Sequence, residues 1–301
     1  MAAKRYLALT DRALIRIAGE DARQFLQDLI SNDIEKLGPA TAIHAALLTP
    51  QGKYLHDFFA FEHATAILLD CEADRRDDLM RRLKRYRLRL KIDIEDNDEL
   101  SAFALTGDGV REMAGPFAGG IVYADPRLAE LGARAAFPEG GAAALDAGGF
   151  QPMARDDYER LRIGQGVPDG SRDLVVEKAL LLESGFEELA GVDFDKGCYV
   201  GQEVTARMKY RGLVRKRLLP VEIDGPAPEP GTAVVRGEST VGELRTSIGG
   251  RGLALLRLED VERAAAGEVR LSAGDARINP LKPDWLRISD RSPKFDDSPD
   301  S

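Results

Sequence analysis

Asp195-Lys-Gly-Cys-Tyr-Val-Gly-Gln-Glu-Val-Thr-Ala-Arg-Met-Lys-Tyr-Arg-Gly212 is the densest run of chemistry-bearing residues in the chain. Gly197 and Gly201 bracket Cys198 and permit sharp turns and close approach of backbone to a ligand. From Gly201 onward, Val204 and Met208 fall at helical spacing. Cys198 is therefore expected just ahead of a helix N-terminus, with Lys196 beside it. Exposed amide dipoles and a neighbouring cation both favour a thiolate. The residue reads as a nucleophile, a redox thiol or a single metal ligand, against the plainer alternative of a small buried hydrophobe. Glu203 either faces a ligand and orients Lys196 or, with Gln202, suits the first turn of the helix. Its spacing of four from Arg207 also allows an ordinary ion pair.

The rest of the chain bounds what that stretch can belong to. At 301 residues, it is long enough for roughly two domains of about 150 residues. With 44% hydrophobic and 31% charged side chains it can bury a core and solvate a surface. A formal charge of −9 excludes a polycation that coats nucleic acid or anionic lipid over its whole surface. The start, Met1-Ala-Ala-Lys-Arg-Tyr6, has no apolar signal region, and no stretch reaches the ~18 apolar residues of a membrane span. Cys71 and Cys198 are too few and too far apart for a disulfide scaffold or a self-sufficient zinc or cluster site. These features together predict a cytoplasmic protein.

Tyr6–Leu9 and Ala13–Ile17 read as strands, Ala22 to Ile30 as a helix closed by Ser31-Asn32-Asp33, and Ala42–Leu48, Lys53–Phe61 and Ala64–Leu69 as a meander. Asp74 to Tyr86 is expected to be a helix that runs into an alternating strand Leu88, Leu90, Ile92, Ile94. Nine basic residues lie between Arg75 and Lys91. They fit a solvated helix balanced by acidic neighbours, an electrostatic funnel for a polyanionic ligand, or a patch for tRNA or an acidic partner. Little aromatic interleaving makes nucleic acid the weakest of these. His44, His56 and His63 complete no recognised ligand set, and no metal site is expected. Residues 107–149, rich in Gly and Ala, read as loop-heavy around short strands such as Gly120–Ala124. Short β runs from Leu218 to Leu271, spaced by Gly and Pro, predict a small barrel. The expected divisions are 1–212, 213–288 and a polar tail over 289–301.

Lys196-Gly-Cys-Tyr-Val-Gly-Gln-Glu203 resembles the K-G-C-Y-x-G-Q-E signature of the YgfZ/IBA57 (CAF17-like) folate-binding family, and its continuation to Leu218 is similar to the iron–sulfur assembly branch. Leu47–Asp57 and Glu159–Pro168 resemble further segments of that family, whose members resemble the glycine cleavage T-protein, an aminomethyltransferase. The resemblance implies an α+β fold, T-protein-like, with two intertwined α/β subdomains around a central channel and a C-terminal β-barrel. It also implies tetrahydrofolate binding and a role in making or repairing iron–sulfur proteins, with assembly proteins or client apoproteins as partners.

On that resemblance, Asp57 takes the role of an acidic residue facing folate. His56 and Lys53 depart from the T-protein pattern around it. Arg162 could hold the carboxylates of the folate tail bidentately. Lys196 and Cys198 become the candidate reactive pair, and Gly197, Tyr199, Gly201, Gln202 and Glu203 the candidate ligand-facing loop. One cysteine cannot hold a cluster alone, so any cluster at Cys198 would be shared with a partner. The alternatives are a folate-dependent aminomethyl transferase and a non-enzymatic adaptor.

Overall fold

The computed structural model describes residues 2–287, so the tail expected over 289–301 lies outside the described residues. Two open sheets precede one closed barrel. The first sheet runs, edge to edge, through Ile43–Leu48, Tyr54–His63, Ala66–Glu72, Arg12–Ala18 and Asp93–Asn97, all antiparallel. The second runs through Gln151–Pro152, Arg5–Ala8, Ser101–Thr106, Ala133–Phe137, Gly120–Ala124 and Gly115–Phe117. The chain thus starts in the second sheet, crosses after Ala8 to build the whole of the first, and returns at Ser101. This interleaving is the α+β arrangement that the family resemblance implies.

The strand Tyr54–His63 shows why the first sheet sits in the middle. Leu55, Phe58 and Ala60 pack on one face against helices Ala22–Leu29 and Arg76–Tyr86, through Leu26, Leu79 and Leu83. Phe59 and Phe61 project from the other face toward Ile121 and Tyr123 of the second sheet. A strand covered on both faces loses polar alternation, and eight of its ten residues are buried.

Between the sheets lies a seam of rings and ions. Phe61 stacks on Tyr123 with centroids 4.9 Å apart. The guanidinium groups of Arg134, Arg127 and Arg12 lie 4.0, 4.7 and 5.6 Å from the centre of the Phe59 ring, within cation–π range. Asp70 of the first sheet accepts from Arg12 Nε at 2.6 Å and from Arg134 Nη2, across the seam, at 2.5 Å. Burial alone would raise the Asp70 pKa, but the two arginines outweigh it and hold the carboxyl below its ordinary range.

Two expectations need correction. Residues 107–149 hold more than the expected strand Gly120–Ala124: they also supply Gly115–Phe117, Ala133–Phe137 and the helix Gly141–Ala147. All five residues of Ala133–Phe137 are buried, including Arg134, so its small side chains mark close packing rather than a loop. Conversely, the expected strand at Leu88–Ile94 is confined to Asp93–Asn97. Leu88 takes a left-handed φ of 45°, and turns close from Arg87 N to Lys84 O and from Leu90 N to Arg87 O.

The barrel closes in the order Lys216–Asp224, Arg251–Arg257, Ser239–Ile248, Ala233–Arg236, Leu271–Ala273 and Ala276–Pro280. It adds a strand, Ala276–Pro280, and a helix, Leu258–Ala265, to the runs expected from sequence. Ile163 packs on Leu218 and Leu253 and joins the barrel to the body.

His56 sets a pH dependence. Its buried ring lies on the helix-facing side of the first sheet, with Nε2 donating to Asp78 Oδ2 at 3.0 Å. Burial, reinforced by Arg75, lowers its pKa from 6.5 to about 4. Between those values the unfolded chain binds a proton that the folded chain refuses, so stability falls as pH falls. Urea unfolding of the wild type should show this loss from pH 7 to pH 5. In His56→Gln the difference between the two pH values should shrink by about 2 kcal/mol.

Candidate functional site at the Cys198 loop

Lys196 is the first anchor of the loop. Its ammonium donates to the carbonyls of Gln27, Ile30 and Asn32 at 2.7, 2.6 and 3.0 Å. Gln27 and Ile30 belong to the C-terminal end of the helix Ala22–Leu29, where carbonyls lack partners and a cation is favoured. An ammonium has three N–H groups, and all three are used. The group also lies 5.0 Å from the centre of the Tyr199 ring. Partial burial lowers its pKa from 10.5 to about 8.

Gly201 is the second anchor. Its φ is 84°, and a Cβ there would run into the Thr49 carbonyl and approach Leu48 Cβ to 2.9 Å. Reciprocally, a Cβ on Gly52, at φ 73°, would meet Gly201 O and Val204 Cβ, each at 2.8 Å. The Thr49–Lys53 turn and the Cys198 loop therefore touch backbone to backbone. Tyr199 is buried against Ala46, Leu48 and Tyr54, and burial pushes its pKa up to about 12. Its N–H donates to Gln202 Oε1 at 3.2 Å, at the start of the helix Gln202–Tyr210.

Between these anchors Cys198 is exposed, as is Gly197. Gly201 caps the helix, so the thiol does lie just ahead of its N-terminus, three residues before the cap, and the departures from expectation are at Lys196 and Glu203. Lys196 is spent on the neighbouring helix end and is a positioning group, not an acid–base partner for the sulfur. Gln202 likewise holds the loop through Tyr199 N. Glu203 is exposed, and among the described residues no ion pair joins it to Arg207.

Asp57 lies on the face of Tyr54–His63 that looks toward the second sheet, opposite Ala46 of the neighbouring strand. It is 5% exposed, accepting from Tyr54 Oη at 2.7 Å and His44 Nε2 at 3.1 Å. Burial opposes its ionisation, but His44, Arg12 and Tyr54 outweigh burial and hold it well below the ordinary carboxylate range. The role expected of Arg162 is not supported by its surroundings. It is 1% exposed and saturated by Glu159, Asp173 and the Val167 carbonyl. Buried guanidinium groups need such partners, and this one has no donor edge open to a ligand. Of two surface hollows, one of about 510 Å³ is lined by Asp77, Met80, Arg81, Lys84, Arg85 and Asp96, and one of about 560 Å³ by residues that include Glu62, His63, Pro116 and Phe117; neither includes Asp57, Arg162 or Cys198.

Sequence reasoning missed the residues that bind the loop's approach segment to the sheet. Ser31 Oγ donates to Gly191 O and accepts from Ala46 N. Asn32 Nδ2 donates to the carbonyls of His44 and Ala190. The signal was present in Ser31-Asn32-Asp33, which reads only as a helix terminator until its long-range partners are known.

Comparison with known proteins places this geometry in a family. The chain is 35% identical to the human "Iron-sulfur cluster assembly factor IBA57, mitochondrial", over 92% of this chain and 84% of that protein. This chain belongs to the IBA57 family. The mouse relative is 33% identical over the same shares, and that of Pyricularia oryzae 32% identical over 94% and 85%. Residues 215–288 match the family model of the CAF17 C-terminal beta-barrel domain. The aminomethyltransferase T of the Bartonella henselae glycine cleavage system superposes with a TM-score of 0.73, covering 95% of this chain and 87% of that one, at 14% identity. That likeness establishes the T-protein fold. The mitochondrial names of the IBA57 relatives overturn the expectation of a cytoplasmic protein, which rested on composition, cysteine usage and the lack of an apolar signal or span.

Two outcomes follow from the loop geometry. In the native protein a thiol reagent should titrate one cysteine rapidly, Cys198. Cys71, 2% exposed and with burial pushing its pKa up to about 12, should react only on unfolding. Lys196→Met should leave the helix-end carbonyls short of donors and lower stability by about 1–3 kcal/mol in urea unfolding.

Proposed function

We propose that this chain is an accessory factor in iron–sulfur cluster assembly and that Cys198 is its working thiol. The observation that carries the reading is an exposed cysteine on a loop pinned at both ends, in a chain of the IBA57 family. A pinned loop presents its sulfur in a narrow range of positions, which lowers the entropy lost when a partner engages it. Tyr210, 72% exposed, and Leu213, 41% exposed, follow on the adjoining helix end and offer apolar surface for such a partner. Among the described residues no group of three or more His, Cys, Asp or Glu side chains is placed to hold a metal. The cluster is therefore cargo: Cys198 would lose its proton and contribute one thiolate, while an assembly protein or a client apoprotein supplies the others.

Tetrahydrofolate is the second reading, favoured by one observation. Asp57 is an ionised acceptor among aromatic rings in the seam between the sheets, where the T-protein-like architecture would admit a pterin. Asp57 would accept pterin N–H groups, and the folate would supply a one-carbon carrier. The carboxylate is closed over by Tyr54 and His44, so entry requires those rings to part. The folate tail would find its cations elsewhere than Arg162. An aminomethyl transferase and a passive adaptor remain the competing activities.

In a host depleted of its own copy, Cys198→Ala should fail to restore cluster-dependent enzymes while the folded protein accumulates normally. Full restoration would remove Cys198 from the function. Titration of purified protein with tetrahydrofolate should saturate, with Asp57→Ala binding at least about tenfold more weakly, the scale of losing one charged hydrogen bond. Absence of saturable binding would strike out folate and leave the cluster reading intact.

A further inference from the structure

Lys84-Arg-Tyr-Arg-Leu-Arg-Leu-Lys91 is exposed at every position. It carries five cations, three large apolar side chains and no acid, in a chain whose formal charge is −9. The basic residues nearer the start of the helix Arg76–Tyr86 are neutralised. Arg76 pairs with Asp96 and Asp98, Arg81 with Asp78, and Arg82 with Asp78 and Glu177. In the exposed segment Arg87 and Lys91 reach Asp93 and Glu20, whereas Lys84, Arg85 and Arg89 have no carboxylate partner among the described residues.

The apolar members stand out as much as the charges. Leu88 is 87% exposed, the highest of the large hydrophobic residues among those described, with Tyr86 and Leu90 at 38% each. Leu88 holds a φ of 45°, a conformation that a branched side chain adopts at a cost, and no burial offsets it. The turns at Arg87 and Leu90 fold the segment into an exposed tip. Its position is fixed where Lys91 N donates to Asp21 Oδ2 at 2.7 Å, at the start of the helix whose far end holds Lys196.

We infer that this tip is a peripheral contact for an anionic lipid surface. Charge complementarity chooses an anionic partner. Hydrophobicity chooses among anionic partners: Leu88, 87% exposed with a cation on either side of it, can enter an interface while those cations meet headgroups. Among the described residues no helix is long and apolar enough to cross a membrane, so the contact lies at the surface. Since the remainder of the chain is acidic, the same surface would repel it, and the protein would dock in one orientation with the tip leading.

The test is co-sedimentation of the full chain with phosphatidylglycerol–phosphatidylcholine vesicles and with pure phosphatidylcholine vesicles, at near-physiological salt. Binding is expected to the first only. Arg85→Gln with Arg89→Gln should weaken it by more than about tenfold, each lost cation contributing roughly fivefold. Leu88→Gly, which suits the left-handed backbone and keeps the fold, should weaken it by about tenfold or more through lost apolar insertion. In Tyr86→Trp the new indole should shift its emission to the blue on the anionic vesicles. No vesicle binding, equal binding to phosphatidylcholine, or binding indifferent to these substitutions would overturn the inference. So would tighter capture of an RNA oligonucleotide or of polyglutamate by the same residues.

Discussion

The contact of Asp70 with two arginines is the constraint on which the body of this protein depends. Arg12 comes from the same sheet and Arg134 from the opposite one, so a single buried carboxylate ties together segments 58 and 64 residues away from it in sequence. A carboxylate at that depth must be compensated, and its loss would leave two guanidinium groups buried without a counter-charge. The rings of Phe59, Phe61 and Tyr123 complete the same seam, which joins the two interleaved halves into one body. Breaking such a pair from one side is costly because the orphaned charge cannot reach water.

The first sheet in turn supports the cysteine loop. Its turn at Thr49–Lys53 receives Gly201, its core covers Tyr199, and its flanking helix end receives Lys196. Three residues of one octapeptide are thereby explained by packing. Gly201 is required by a close backbone approach, Lys196 by unpaired carbonyls, and Tyr199 by an apolar slot. Cys198 itself has no such structural duty, which distinguishes it from its neighbours.

The meander and the closed barrel were legible because hydrophobic alternation and Gly/Pro punctuation are local signals. The octapeptide made the family legible at once, and with it the interleaving of the sheets. What could not be read was long-range. Lys196 stands two residues from Cys198 in sequence, which suggested an electrostatic partnership. Its true partners lie more than 160 residues away, at a helix end. Arg162 read as a bidentate holder of a ligand's carboxylates, yet Glu159 and Asp173 of its own chain enclose it. Ala133–Phe137 read as weakly patterned because small residues buried on both faces carry no period. The strand expected at Leu88 failed for a different reason: alternation of Leu and Arg suits a half-buried strand, but among the described residues no strand pairs with Leu88.

The anchoring at Lys196 and Gly201 limits how far the sulfur can travel. Only Gly197 to Val200 lie between the two fixed points, a tether too short to swing across a gap of the width that separates docked proteins. Hand-over of any cargo at this position would require the other molecule to bring its own ligands to the sulfur. Selectivity would then reside in the approach of that molecule's surface, with the loop behaving as a stationary berth.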